Sequence, residues 1–233
     1  LRNYEIFISN QFQTTFLVNH IEQQKLQTLV TKPVIWLPNG IKDFLFHYNK
    51  VDEAFQHNTI AFIGKLDYQP NIDALLWFIQ YVWPHLSSNI HFYIIGPKAS
   101  GTLKRAVASH KNRIHLLGYV KDPYVILHSC NCVVSPMQTG GGIQNKILEA
   151  MALGKINVTT TLAGYSIYKA FNYKHYIAED NPEKMATVIN NIVAHPEQYE
   201  CIGKNAKELA SEIYTWKNFA QTLMSTMQAN LHS

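Results

Sequence analysis

The stretch TIAFIGKLDYQPNIDALLWFIQYVWPHLSSNIHFYIIG, residues 59–96, decides the fold. Two short apolar runs, TIAFIG and FYIIG, flank a segment in which Ile72, Leu75, Leu76, Ile79 and Val82 recur at helical spacing. Strand-length runs joined through one such helix form a βαβ unit, and repeated units build a parallel sheet. Asn71 is placed to cap the helix, and Asp73 falls in its first turn, where the helix dipole favours an anion.

The alternation continues downstream. A polar helix near 103–109 is followed by RIHLLG, PYVILHS and NCVVSP, then by the helix IQNKILEAMAL, whose Ile143, Ile147, Ala150 and Met151 form an apolar stripe. Gly154 can close that helix, KINVTT and HYIAED read as further strands, and 181–233 is predominantly helical. Asn181 and Pro182 serve there as cap and first position, and a last helix begins near Trp216. Upstream, FISNQFQTTFLVNHIEQQKLQTL reads as a strand, turn and helix, and VIWLPNGI as a strand closing in a turn at Pro38, Asn39 and Gly40. The expectation is an α/β chain, a parallel sheet with helices on both faces, preceded by a small separate piece with a boundary near 40–50.

With 233 residues, 47% of them hydrophobic, the chain can bury one large domain or one domain with an appendage. No apolar run approaches the roughly 20 residues of a membrane-spanning helix. A net charge of +4 suits an anionic ligand or an anionic membrane surface, and is too diffuse to argue for nucleic acid. Lys104 with Arg105, and Lys111 with Arg113, read as solvated faces. The aromatics and lysines Tyr165, Tyr168, Lys169, Tyr173, Lys174 and Tyr176 could stack bases, but the strand propensity of Tyr is the simpler reason for them. Three cysteines make no disulfide framework; Cys130 and Cys132, on one face of an expected strand, read as buried apolar residues. That usage fits a reducing, cytoplasmic compartment. No histidine spacing forms a metal motif. The opening LRNYEIFISNQF has no targeting composition, and Leu1 in place of an initiator methionine fits a fragment.

The chemistry concentrates in TGGGIQNKILEAMALGK, residues 139–155. In an open parallel sheet, ligands bind beyond the carboxyl ends of the strands, and this segment follows such an end. The backbone N–H groups at a helix start lack partners, and residues without a Cβ let an anion approach them closely, so Gly140, Gly141, Gly142 and Ile143 suit a diphosphate. A tight surface turn is the alternative. The spacing matches neither GxxxxGK[ST] nor GxGxxG, which would require glycine at Asn145. Glu149, on the ligand side of the helix, can accept two adjacent hydroxyls such as those of a ribose. Lys146, one turn nearer the helix start, and Lys65, after TIAFIG, could meet phosphate charge in the same crevice, although surface solvation would also account for either.

These segments resemble the retaining nucleotide-sugar glycosyltransferases of glycosyltransferase family 4, specifically the donor-binding half of their GT-B fold. The resemblance rests on LPNGI at 37–41, FIGKLDYQPNIDALLWF at 62–78, FYIIG at 92–96, IHLLGYVKD at 114–122 and VVSPMQTGGGIQNKILEAMALGK at 133–155. It implies a Rossmann-like donor domain over 41–213, the end of an acceptor-side domain over 1–40, and a helix over 214–233 that crosses back. It further implies that Glu149 binds the donor ribose, that 140–143 meet the diphosphate and sugar, that Lys65 and Lys146 contact phosphate, and that Tyr119 and Val120 lie beside the base. The donor would be a nucleoside diphosphate sugar and the acceptor a carbohydrate or lipid-linked hydroxyl, with no metal or other cofactor required. Family members often work at the inner membrane face. Two departures stand out. Many members carry two glutamates eight positions apart, and the first position is Gly141 here; where the commoner pattern has arginine and then lysine five residues on, this chain has Lys65 and Pro70.

The functional expectation is sugar transfer with retention at the anomeric carbon, catalysed electrostatically, with no general acid or base assigned. A non-catalytic nucleotide-sugar binding module or degenerate fragment, and a nucleotide-sugar epimerase of similar fold, are the alternatives.

Overall fold

Six strands pair in parallel in the order β5-β4-β3-β6-β7-β8. They are β3 (Thr59–Ile63), β4 (His91–Ile95), β5 (Ile114–Gly118), β6 (Cys132–Ser135), β7 (Asn157–Thr159) and β8 (Ile177–Ala178). The computed structural model describes residues 2–231. A second parallel pair, β1 (Thr15–Leu17) with β2 (Val34–Trp36), stands apart from the large sheet.

Period-two alternation along β3 divides the core into two layers. Ile60 and Phe62 face a layer completed by Leu75, Phe92, Ile94, Leu103 and Ile189. These come from the helices α3 (Gln69–Trp77), α4 (Gly101–Ala108) and α8 (Pro182–Ala194) and the strands between them. Ala61 faces the opposite layer, with Leu127, Ile147, Leu148 and Leu209 of α5 (Tyr124–Ser129), α6 (Asn145–Ala152) and α9 (Glu200–Ile213). Burial on both faces is why β3 reads as a continuous apolar run.

Several local expectations are corrected. Helix α3 begins at Gln69 with Pro70 in its first turn, so Asn71 lies inside the helix and Asp73 beyond the first turn, paired with Gln69 at 2.7 Å. Proline suits the first turn because it has no N–H to leave unsatisfied. FISNQ closes a helix, α1 (Arg2–Gln11), and the strand of that region is only Thr15–Leu17. Asn19 then caps α2 (His20–Gln27) through Ile21 N and Glu22 N. Cys130 closes α5 while Cys132 opens β6, and the two lie in opposite layers, both buried. The aromatic stretch from Tyr165 to Tyr176 is made of turns rather than strand, with positive φ at Lys169 and Tyr173. Asn181 does cap α8, with Pro182 at its first position.

The last helix, α10 (Trp216–Leu231), reaches back to the first part of the chain, where Asn230 Nδ2 donates to Thr14 Oγ1 at 3.0 Å. At its root, Ile41 N donates to Tyr214 O at 2.8 Å.

Helix α9 approaches the end of α6 so closely that a Cβ on Gly203 would lie 2.1 Å from Gly154 O. Gly203→Ala is therefore expected to destabilise the chain by about 2–3 kcal/mol, lowering the melting temperature by about 5 °C or more. Gly101→Ala, where a Cβ would meet only the tip of Arg105 at 3.5 Å, should be neutral or slightly stabilising. Thermal melts of the two variants check the contrast.

Candidate functional site

The chain runs from β3 outward through β4 and β5, then returns to lay β6 against the other side of β3. This reversal opens a crevice beyond the carboxyl ends of β3 and β6, the place where open α/β sheets bind ligands. Gly64 and Lys65 leave β3 on one side of it, and residues 136–144 leave β6 on the other. The β6 end is tied down, since Met137 O accepts Thr160 Oγ1 at 2.6 Å and Met137 N donates to Ser135 O at 2.8 Å.

Two of the three glycines are required by backbone conformation: Gly140 has φ +123° and Gly142 φ +72°. An L side chain is strained at either angle. Gly141 is different, having no such φ. The loop they form is gripped by α2 and its cap. Asn19 Nδ2 donates to Gly142 O at 3.0 Å, and Gly142 N donates to Glu22 Oε1 at 3.2 Å. Beyond the loop, Gln144 precedes α6 without a side-chain cap bond, so the first amides of the helix remain available.

Lys146, on the first turn of α6, turns back beneath the loop. Its Nζ donates to Asn71 Oδ1, lies 3.4 Å from Met137 Sδ, and sits 4.6 Å from the centre of the Phe62 ring. Asn71 is held in turn by donating to Lys65 O at 2.8 Å, and a Cβ on Gly64 would reach within 2.7 Å of that Nδ2. No carboxylate pairs with Lys146 among the described residues, and burial pulls its pKa down to about 8. A buried ammonium without a counter-charge is a costly arrangement that a bound anion would relieve.

One turn further, Glu149 is half-buried and accepts from Tyr124 Oη at 3.1 Å. Tyr124 itself accepts from Lys42 Nζ at 2.9 Å, so lysine, tyrosine and carboxylate form a chain of hydrogen bonds. Burial raises the Glu149 pKa, while Lys42 and the Tyr124 bond act to lower it. A polar contact from Asn39 Nδ2 to Asn145 Oδ1, 3.2 Å, brings the LPNGI turn to the start of α6.

Of the residues singled out from sequence, Gly140, Gly141, Gly142, Ile143, Lys146 and Glu149 thus occupy one loop and one helix at the crevice. Lys65 is exposed at the end of β3 and makes no side-chain bond among the described residues. Tyr119 is 79% exposed beyond the edge strand β5, whereas Val120 packs into the α6 layer. Sequence reasoning missed Lys42, Tyr124, Asn19 and Glu22, and gave Asn71 a different role; only Lys42, next to LPNGI, lies beside a recognisable signal. A cavity of about 1000 Å³ lies elsewhere, between α1, β1 and α2, with Glu22 on its wall. Among the described residues, no group of three or more His, Cys, Asp or Glu side chains is placed to hold a metal, and no helix is long and apolar enough to cross a membrane.

Comparison with known proteins agrees with this architecture. The uncharacterized glycosyltransferase MJ1069 of Methanocaldococcus jannaschii is 21% identical over 223 residues, covering 92% of this chain and 55% of its own length. The chain therefore spans about half the length of the curated relative it matches. Among solved structures, Anabaena HepE in complex with UDP and glucose aligns with a TM-score of 0.78 at 15% identity, covering 98% of this chain and 66% of HepE. Staphylococcus aureus TarM, in complex with fondaparinux, α-GlcNAc-glycerol and UDP, also gives 0.78, at 18% identity over 96% of this chain and 45% of TarM. These likenesses show the fold, the Rossmann-like α/β architecture of GT-B proteins. Residues 57–195, more than half of the chain and all of the crevice from β3 to Glu149, match the glycosyl transferases group 1 family, and the chain belongs to that family.

Proposed function

We propose that this chain is the donor-binding part of a retaining glycosyltransferase that moves a sugar from a nucleoside diphosphate sugar to a hydroxyl of a carbohydrate or lipid-linked acceptor. The observation that carries the reading is the largely buried Lys146 ammonium, held by Asn71 and without a counter-charge among the described residues, beneath a glycine loop at the switch-point crevice. In this reading Glu149 accepts the ribose hydroxyls, and Lys146 and the α6 amides face the diphosphate, joined by Lys65 from the β3 side. Tyr119 and Val120 border the base. Residues 41–213 constitute the donor domain, 1–40 the end of an acceptor-side domain, and 214–233 the helix that crosses back to it. HepE and TarM, whose complexes contain UDP, support a nucleoside diphosphate as the ligand class.

The difficult step in such a transfer is departure of the diphosphate from an oxocarbenium-like carbon. Charge accumulates on the leaving phosphate, and a cation already desolvated and positioned there stabilises it more than water would. Lys146 meets that requirement without proton transfer. Glu149 needs to be ionised to accept two hydroxyls, and the Lys42–Tyr124 chain opposes the effect of its burial. The protein would act in the cytoplasm, at the inner membrane face where the acceptor is lipid-linked.

Calorimetric titration with UDP, GDP and ADP tests the reading. One nucleotide should bind, and Glu149→Ala and Lys146→Ala should each weaken it by about 1.5–3 kcal/mol, the range for hydrogen bonds to charged groups. Equal binding by wild type and both variants would sink the reading.

Two pH dependences follow from the same groups. Affinity should fall as pH rises through about 8, where Lys146 loses its proton, and Lys146→Met should remove that limb. Ligand-free stability should move oppositely. A lysine depressed in the folded state holds fewer protons there than in the unfolded chain, so its contribution rises with pH from about 8 toward 10.5. The difference in unfolding free energy between wild type and Lys146→Met, measured across that window, checks the sign. On the acid side, Lys42→Met should raise the pH at which nucleotide binding fails, because the Glu149 carboxyl loses the cation that favours its charged form. The shift should vanish in a Glu149→Gln background.

A further inference from the structure

The grip of α2 on the glycine loop places a carboxylate where the donor reading leaves a hydroxyl-bearing group unaccounted for. Along α6, Glu149 lies four residues after Asn145, roughly 6 Å down the axis at 1.5 Å per residue. With ribose at Glu149 and diphosphate at the helix start, the group carried by the second phosphate lies on the far side, toward Gly140–Gly142. The side chain that reaches this place is Glu22. Its Oε1 accepts the Gly142 N–H at 3.2 Å and would lie 3.3 Å from a Cβ at Gly141. Position 141 has no side chain of its own, so the carboxylate of α2 stands in that space.

We propose that Glu22 is a specificity-determining residue that reads the hydroxyls of the donor sugar; the proposal rests on the donor-site reading above. One oxygen braces the loop through Gly142 N–H, and the other is left to accept from the sugar. Glu22 is exposed, lies in the first turn of α2 where the helix dipole favours an anion, and forms no ion pair among the described residues, so its second oxygen is not committed to a cation. Adjacent sugar hydroxyls are donors that a carboxylate accepts well, while a phosphate would be repelled by it. Glu22 therefore separates the two parts of the ligand: phosphate toward Lys146, sugar toward α2. Its position is set by Asn19, which caps α2 and also donates to Gly142 O. The residue thus belongs to the early part of the chain, before the segment matched by the family.

The test compares UDP with UDP-glucose, UDP-galactose and UDP-N-acetylglucosamine by calorimetry, on wild type, Glu22→Ala and Glu22→Gln. Glu22→Ala should weaken at least one sugar nucleotide by about tenfold or more, while the affinity for UDP changes by less than about twofold. Preference among the three sugars should narrow accordingly. Glu22→Gln, which can still accept the Gly142 N–H, should lose only part of the effect. Equal effects on UDP and on every sugar nucleotide would mean that Glu22 only braces the loop, and would overturn the proposal. Tighter UDP binding in Glu22→Ala would overturn it too, by showing a rival of the phosphate, as would no change in any ligand. If wild type binds GDP or ADP in place of UDP, the same comparison is made with that nucleotide and its sugar derivatives; if it binds none of the three, or Glu149→Ala leaves nucleotide binding intact, the donor-site reading fails and takes this proposal with it, a result distinct from the others.

Discussion

Everything at the crevice depends on the parallel pairing of β3 with β6, through Ile60 with Cys132 and Ala61 with Val133. These strands are separated in sequence by two complete strand-helix units, and their pairing reverses the direction in which the sheet grows. Side chains at their carboxyl ends then have no strand or crossover above them. Gly64 can let Asn71 approach one end, and the glycine loop can fold over the other, because the reversal leaves that space open. The burial of β3 on both faces holds the pairing in register.

The site holds two charges that burial works against. Lys146 is desolvated among Phe62, Met137 and Asn71, and Glu149 is desolvated beside Tyr124. They are treated differently. Glu149 is linked through Tyr124 to Lys42, whereas among the described residues Lys146 has neutral neighbours only. A structural ion pair would have joined the two, which are one turn apart on α6. Separate environments instead leave a cation without a counter-charge among the described residues and a hydrogen-bonded carboxylate one turn apart, an asymmetry of the kind found at functional sites.

The loop links the two sheets. Asn19 and Glu22, next to the small β1–β2 pair, hold Gly142, and Asn39 reaches Asn145. The piece ahead of the large sheet is thereby bound to the site rather than merely adjacent to it. Gly40 sets how closely the chain passes α10, since a Cβ there would lie 2.6 Å from the Trp216 ring.

The sequence by itself determined the layered α/β architecture, the capped start of α8 at Asn181, and the helix carrying Lys146 and Glu149. Those features are local: apolar period, capping chemistry and spacing along one helix act over a few residues. It misread Asn71 as a cap and put the tyrosines of 165–176 down to strand propensity, because local propensity yields there to Pro70 and to the positive φ of Lys169 and Tyr173. Only the tertiary structure decided what surrounds the charged groups. Tyr124 meets Glu149 across 25 residues, Asn71 meets Lys146 across 75, Lys42 meets Tyr124 across 82 and Glu22 meets Gly142 across 120. Contacts at such separations follow from how strands are ordered and helices laid on them, and no residue spacing encodes that order. The electrostatics of the site, set by burial and by these distant partners, belongs to the fold.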